Sequence, residues 1–297
     1  MTSAGNLSTP TNPMRRSRKA AYLLPTLFTA GNIFLGFLAI VKTIQGALYA
    51  TGGDLGSNIH FEVAAKCIGI AVVLDGLDGR IARMTNTVSD FGRELDSLAD
   101  VITFGIAPAI LAFIWGVQFS TLNGNEGVLQ HLRQAGYFVA FLYLLCGSAR
   151  LARFNVQTAP PPGKKKPDHR FFVGLPIPAA AGLVAALVYA ANSTPLVDPY
   201  FSIVWLLLVS MISLLMVSTW RYISFKDLSL LQPRKPLSLV GFGCLIWAIW
   251  NYSHAVLLVI AVVYLLSGFV MKAGAIWRRF RRSSNNADAE AEEAAPV

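Results

Sequence analysis

Residues 71–100 read A-V-V-L-D-G-L-D-G-R-I-A-R-M-T-N-T-V-S-D-F-G-R-E-L-D-S-L-A-D: one apolar run ends in an acidic pair, and a second acidic pair opens the next apolar run. Asp75, Asp78, Asp96 and Asp100 therefore stand where two apolar segments meet polar chain. Carboxylates at membrane depth are costly unless they are paired, solvated or bound to metal. Residues three and four apart share a helix face, so Asp75 with Asp78, and Asp96 with Asp100, each present two carboxylates in one direction. Two antiparallel helices can bring all of them together.

Working outward, apolar stretches approaching the roughly 20 residues that a bilayer crossing needs fall near 27–49, 63–77, 98–117, 135–151, 173–191, 200–219, 237–250 and 255–276. Helix can continue beyond Leu77 and carry the charged D-G-R-I-A-R stretch out of the bilayer. The expected fold is an all-α, polytopic integral membrane bundle of about eight transmembrane helices. Composition agrees: 54% of residues are hydrophobic and 14% charged, with a mean hydropathy of +0.52, too apolar for an ordinary soluble domain of this length.

Lys and Arg concentrate in cytoplasmic loops of membrane proteins. Of the 25 Lys and Arg here, all but Lys42, Lys66 and Arg133 fall in the N-terminal tail, in every second connection, or at the C-terminal end. Both termini are accordingly expected in the cytoplasm. Residues 1–20 read as a basic cytoplasmic tail, 21–277 as the membrane domain, and 278–297 as a disordered cytoplasmic tail. No short apolar stretch precedes a small-residue cleavage site, so an uncleaved chain is expected.

The net charge of +9 does not imply nucleic acid, because the basic residues punctuate apolar runs instead of forming a patch on a water-facing domain. Cys67, Cys146 and Cys244 lie in apolar segments at irregular spacing, which makes neither a disulfide framework nor a zinc pattern. Lys164, Lys165 and Lys166 suit attraction to an anionic leaflet. None of the histidines falls where the carboxylates converge.

A cluster of carboxylates repels itself unless cations bridge it, and oxygen-only ligands favour Mg²⁺ or Mn²⁺. Hard cations at a membrane surface can hold a diphosphate while a phosphorus–oxygen bond breaks. Gly79 and Gly92 remove side chains where backbone must approach a ligand, and Arg83, one turn beyond Gly79, is placed to contact phosphate. Two other classes use intramembrane Asp: prenyltransferases that hold a metal–diphosphate, and cation carriers. The prenyltransferases lack the D-G-x-x-A-R continuation, and a carrier calls for acidic residues spread through the membrane depth.

The pattern Asp75, Asp78-Gly79, Ala82-Arg83, then Gly92, Asp96 and Asp100 resembles the signature of the CDP-alcohol phosphatidyltransferases at every position. The resemblance implies that Asp75, Asp78 and Asp96 bind one metal and that Asp75, Asp96 and Asp100 complete a second, with Mg²⁺ or Mn²⁺ as the ions. It implies Asp100 as general base, and Gly79, Ala82, Arg83 and Gly92 as the lining of the nucleotide and diphosphate pocket. The wider stretches 31–40, 89–109, 149–155 and 171–181 are similar to the bacterial phosphatidylserine synthases, with Thr103 where serine is expected. That likeness implies CDP-diacylglycerol and L-serine as substrates, a place in the bacterial inner membrane with the site at the cytoplasmic face, contact with membrane lipids, and a homodimer. Glycerol 3-phosphate or inositol as acceptor would demand further cations or hydroxyl partners. Arg150 and Arg153, one turn apart, are the candidate acceptor-binding cations. Asn32 and Asn155 suit helix-to-helix hydrogen bonding.

Overall fold

The computed structural model describes residues 13–85, 90–121, 126–158, 171–223, 248, 251–272, 274 and 277. The expected segment 237–250 apart from residue 248, the lysine triplet 164–166 and the tail 278–297 lie outside the described residues.

Backbone amides in an apolar solvent must be satisfied within their own segment, which leaves the helix as the form for these long apolar runs. The described chain is nearly all helix. The elements are α1 (Pro13–Thr51), α2 (Ile59–Thr85), α3 (Asp90–Asp100), α4 (Ala107–Phe113), α5 (Glu126–Thr158), α6 (Ile177–Ala190) and α7 (Pro199–Val217), followed by α8 (Asn251–Lys272). π-Helical stretches Val101–Ile106 and Ile114–Gln118 join α3 to α4 and extend α4. β1 (Phe171–Val173) and β2 (Arg221–Ile223) pair antiparallel, with Phe172 opposite Tyr222. Among the described residues, 5 helices are long and apolar enough to cross a membrane, and α6 is a shorter apolar helix. The first helix starts at Pro13, inside the stretch read from sequence as a tail.

Local chemistry sets the helix ends. Asn58 caps α2: its Oδ1 accepts from the His60 amide at 3.0 Å, while its Nδ2 donates to the Gly46 carbonyl of α1 at 2.9 Å. Asp198 caps α7 by accepting from the Tyr200 amide at 2.8 Å, with Pro199 in the first turn. Between α1 and α2, the Gly56 amide and the Tyr49 hydroxyl donate to Asp54. Those two donors hold the Asp54 carboxyl below its ordinary range.

The core lies where α2, α4, α5, α6 and α7 meet, around Phe61, Ile68, Phe104, Leu111, Tyr143, Ile177, Val184, Ile212 and Met216, all fully buried. Trp205 of α7 donates to the Ala112 carbonyl at 2.9 Å, and the Tyr143 hydroxyl of α5 donates to the Phe104 carbonyl at 3.2 Å. Gly174, at φ +82°, turns the chain from β1 into α6, and a Cβ there would sit 2.3 Å from the Met216 carbonyl oxygen. The α1 backbone comes equally close to the first π-helical stretch: a Cβ on Gly36 would lie 2.5 Å from Thr103 Oγ1 and 2.8 Å from its Cα. That approach lets Thr103 donate to the Asn32 carbonyl at 2.9 Å.

Gly36→Val is therefore expected to push α1 off the helix that carries Asp96 and Asp100. Overpacking of this kind costs about 1–3 kcal/mol. The check is the melting temperature of the detergent-solubilised protein, which should fall, whereas Gly31→Val, at a position with no neighbour within 4 Å, should leave it in place.

Candidate active site

Asp75 sits in the second half of α2, and Asp96 and Asp100 lie on α3. One carboxylate oxygen from each lies within 4.8 Å of the other two. The side chains of Asp78, Ala82 and Arg83 lie outside the described residues, although α2 runs unbroken through them and through Gly79 to Thr85. Gly92 falls in the first turn of α3. All three clustered carboxyls are partly buried, and Asp100 Oδ1 is shielded from solvent. Such a cluster of hard oxygen donors, closely spaced and partly withdrawn from water, fits a divalent cation of the Mg²⁺ or Mn²⁺ kind.

Two features position this cluster. The helix bearing Asp96 and Asp100 widens into π-helical turns directly after Asp100, a distortion found mostly at functional sites. There Thr103 reaches across to α1, so the residue after the cluster is fixed by a buried hydrogen bond. Beside Asp96, Ser97 donates to the Arg93 carbonyl at 3.0 Å and accepts from Asn155 Nδ2 of α5 at 2.8 Å. The end of α5 is thereby pinned to the middle of α3.

The same helix end carries a buried cation. Arg150 is buried, at 9% exposure, and its charge interacts with Asp100 and with Tyr264 of α8. Arg153, one turn on, is exposed. The two arginines paired in the sequence reading are thus separated: Arg150 is buried, within electrostatic range of Asp100, and Arg153 faces outward. Among the described residues the cluster holds Asp75, Asp96 and Asp100 together.

Three convergent carboxylates from two helices, a helix that continues beyond them through Asp78-Gly79 and Ala82-Arg83, and one buried guanidinium make a site suited to diphosphate chemistry. A family model described as CDP-alcohol phosphatidyltransferase matches residues 22–220. The chain belongs to the CDP-alcohol phosphatidyltransferase family. It is an integral membrane enzyme, and the match spans the helices from α1 to α7 and the whole carboxylate cluster.

Individual relatives are similar over most of the chain. The CDP-diacylglycerol–serine O-phosphatidyltransferase of Helicobacter pylori is 38% identical over 218 residues, 73% of this chain and 76% of the relative. The enzyme of the same name from Bacillus subtilis is 36% identical over 169 residues, 57% of this chain and 77% of the relative. The archaetidylserine synthase of Methanothermobacter thermautotrophicus is 34% identical over 201 residues, 67% of this chain and 69% of the relative.

Two tyrosines whose rings lie 6.0 Å apart, Tyr222 and Tyr264, drew no attention in the sequence. Each is an isolated tyrosine, one in a three-residue strand and one in an apolar helix, with no motif around it. The only signal was a hydroxyl carried within a membrane segment, where a polar atom calls for a partner.

Proposed function

We propose that the chain transfers a phosphatidyl group from CDP-diacylglycerol to the hydroxyl of L-serine, giving phosphatidylserine and CMP. The observation that carries the chemistry is the convergence of Asp75, Asp96 and Asp100 within 4.8 Å in a chain of this family. The acceptor is supported by the relatives, whose names place serine as acceptor on both diacylglycerol and archaeal lipid backbones.

Asp75, Asp96 and Asp100 would hold divalent metal, with Asp78, on the same helix one turn from Asp75, completing the ligand set for two ions. Bound there, Mg²⁺ or Mn²⁺ would neutralise the diphosphate and the charge that develops as CMP departs. Asp100 would accept the proton of the serine hydroxyl, since its carboxylate is the one shielded from solvent in the cluster. The serine oxygen then forms its bond to the lipid-side phosphorus, and the bond from that phosphorus to the bridging oxygen of CMP breaks, its electron pair leaving with CMP. Gly79, Ala82, Arg83 and Gly92 would line the nucleotide and diphosphate end. Arg150 would meet the acceptor carboxylate, and exposed Arg153 is assigned to the headgroup region.

The membrane setting follows the charge distribution. The carboxylate end of the bundle would face the cytoplasm, where serine and CMP are soluble, and CDP-diacylglycerol would enter from the cytoplasmic leaflet of the bacterial inner membrane. α7 ends near Gly147, whereas α8 begins beside Tyr189 at the opposite end of α6. This arrangement supports the count of eight crossings with both termini on the cytoplasmic side.

The test is product analysis of the purified protein in detergent with CDP-diacylglycerol and Mg²⁺ or Mn²⁺, with serine, glycerol 3-phosphate and inositol offered in parallel. Phosphatidylserine and CMP in equal amounts are expected with serine alone. A phosphatidylglycerol phosphate or phosphatidylinositol product would move the acceptor, and no CMP release with any alcohol would sink the reading.

A further inference from the structure

α3 is short, 11 residues from Asp90 to Asp100, yet it carries two of the three clustered carboxylates. It is tied to two other helices. Asn155 Nδ2 of α5 donates to Ser97 Oγ at 2.8 Å, and Ser97 Oγ donates in turn to the Arg93 carbonyl at 3.0 Å. Just beyond the end of α3, Thr103 donates to the Asn32 carbonyl of α1 at 2.9 Å, where Gly36 of α1 leaves no room for a Cβ. One tie thus stands directly after Asp96 and the other three residues past Asp100.

A serine hydroxyl has one proton to donate. Ser97 commits it to the Arg93 carbonyl, one turn back along α3, so toward α5 it offers only lone pairs. The partner there must be a donor, and an amide supplies one without a charge that would compete with a metal for Asp96. The geometry of a helix sets what this tie is worth. A carboxylate stands about 5 Å from its helix axis, so turning α3 by about 10° carries Asp96 and Asp100 by about 1 Å. Mg²⁺ demands near-ideal oxygen geometry and tolerates departures of about 0.2 Å. How well oxygens from α2 and α3 meet on one ion therefore depends on the rotation of α3 about its own axis.

Resting on the metal assignment above, we propose that Asn155 and Ser97 are positioning residues: the amide-to-hydroxyl bond between α5 and α3 fixes the rotation of α3 and thereby sets the affinity of Asp75, Asp96 and Asp100 for the divalent cation. In this role neither side chain touches metal or substrate, and Asn155 acts only through Ser97. The oxygen ligands come from α2 and α3, and their alignment comes from a third helix, α5.

The experiment titrates Mn²⁺ into the full-length protein in detergent, without substrates, and reads bound metal from the loss of the free-ion electron paramagnetic resonance signal. Wild type is compared with Ser97→Ala, Ser97→Thr, Asn155→Leu and the double variant Ser97→Ala with Asn155→Leu. Removing a group that orients metal ligands weakens binding by about 10–100-fold. Ser97→Ala and Asn155→Leu should therefore each raise the Mn²⁺ dissociation constant about tenfold or more. The double variant should bind no more weakly than the weaker single, because both changes cut the same bond, and Ser97→Thr, which keeps the hydroxyl, should bind as wild type does. At saturating Mn²⁺, KM for serine should stay at the wild-type value throughout. Ser97→Ala against Ser97→Thr carries the test should Asn155→Leu not fold. Wild-type Mn²⁺ affinity in both Ser97→Ala and Asn155→Leu would overturn the proposal, and a lowered melting temperature alongside it would mark the bond as structural only. Effects that multiply in the double variant would overturn it as well. So would a raised serine KM at saturating metal in Asn155→Leu alone, which marks Asn155 as a substrate contact. Failure of the metal assignment itself shows separately, as wild type that binds no Mn²⁺.

Discussion

Asp100→Asn is expected to abolish phosphatidyl transfer, by a factor of about 10³ or more, while leaving the protein folded and, without metal, more stable than wild type. The amide keeps the shape of the carboxylate but can neither take the serine proton nor carry a negative charge to a cation, and loss of a general base alone is worth about 10²–10⁴. The stability sign follows from crowding. One carboxylate oxygen from each of Asp75, Asp96 and Asp100 lies within 4.8 Å of the other two. At that separation two like charges repel by about 3 kcal/mol for an effective dielectric of 20. Neutralising one member removes two of the three repulsions, offset in part by the lost attraction between Asp100 and Arg150. The check is CMP release together with thermal unfolding in detergent, with and without Mg²⁺. An active Asp100→Asn protein would refute the assignment of the base. A destabilised, metal-free variant would show instead that Asp100 serves mainly as the structural partner of Arg150.

Chelation is expected to have an effect of the same size on wild type. With EDTA in excess, transfer should stop, and Mg²⁺ or Mn²⁺ added beyond the chelator should restore it. The melting temperature should follow the activity, because a ligand that binds only the folded state stabilises it by about 2.7 kcal/mol at one hundred times its dissociation constant. Asp75→Asn, Asp96→Asn and Asp100→Asn should each blunt the metal-dependent rise in melting temperature, whereas neutralising the exposed Glu94 on the same helix should not. Transfer that survives complete chelation would remove metal from the mechanism and leave the repulsion within the cluster to be relieved by Arg150 and protonation.

The site was legible in the sequence to the extent that its spacing is helical. Asp96 and Asp100 share a face because they are four residues apart, and Asp75 lies on the preceding helix at matching depth, so the convergence of the two helices could be read before any coordinates. Arg150 and Arg153 mark the limit of that reasoning. Both are basic, both lie at the end of α5, and spacing alone treats them alike, yet one is buried and the other is exposed. The difference arises from how α5 is rotated against α3, which depends on particular side chains: Tyr143 bonded to the Phe104 carbonyl, Asn155 bonded to Ser97, and Gly147 seated against Ile177 and Met216.

The helix after Asp100 shows the same division. The run from Leu98 to Val117 reads as one apolar helix, and one continuous helix is what forms. Its two π-helical stretches leave no trace in composition, because they arise where Thr103 reaches the α1 backbone and where α4 meets its neighbours.

By itself, then, the sequence determined the helical membrane fold, the family chemistry and the spacing that brings three carboxylates together. Each of these depends on quantities that act along the chain: the apolar length needed to cross a bilayer, and the three- and four-residue spacing that aligns side chains on one helix. Only the tertiary structure decided which of the two arginines is buried and that α8, from beyond the region the family model matches, packs on Tyr222. Those outcomes depend on contacts between segments tens of residues apart along the chain. Inside a membrane such contacts are chosen by close packing and a few buried hydrogen bonds, and neither writes a period into the sequence.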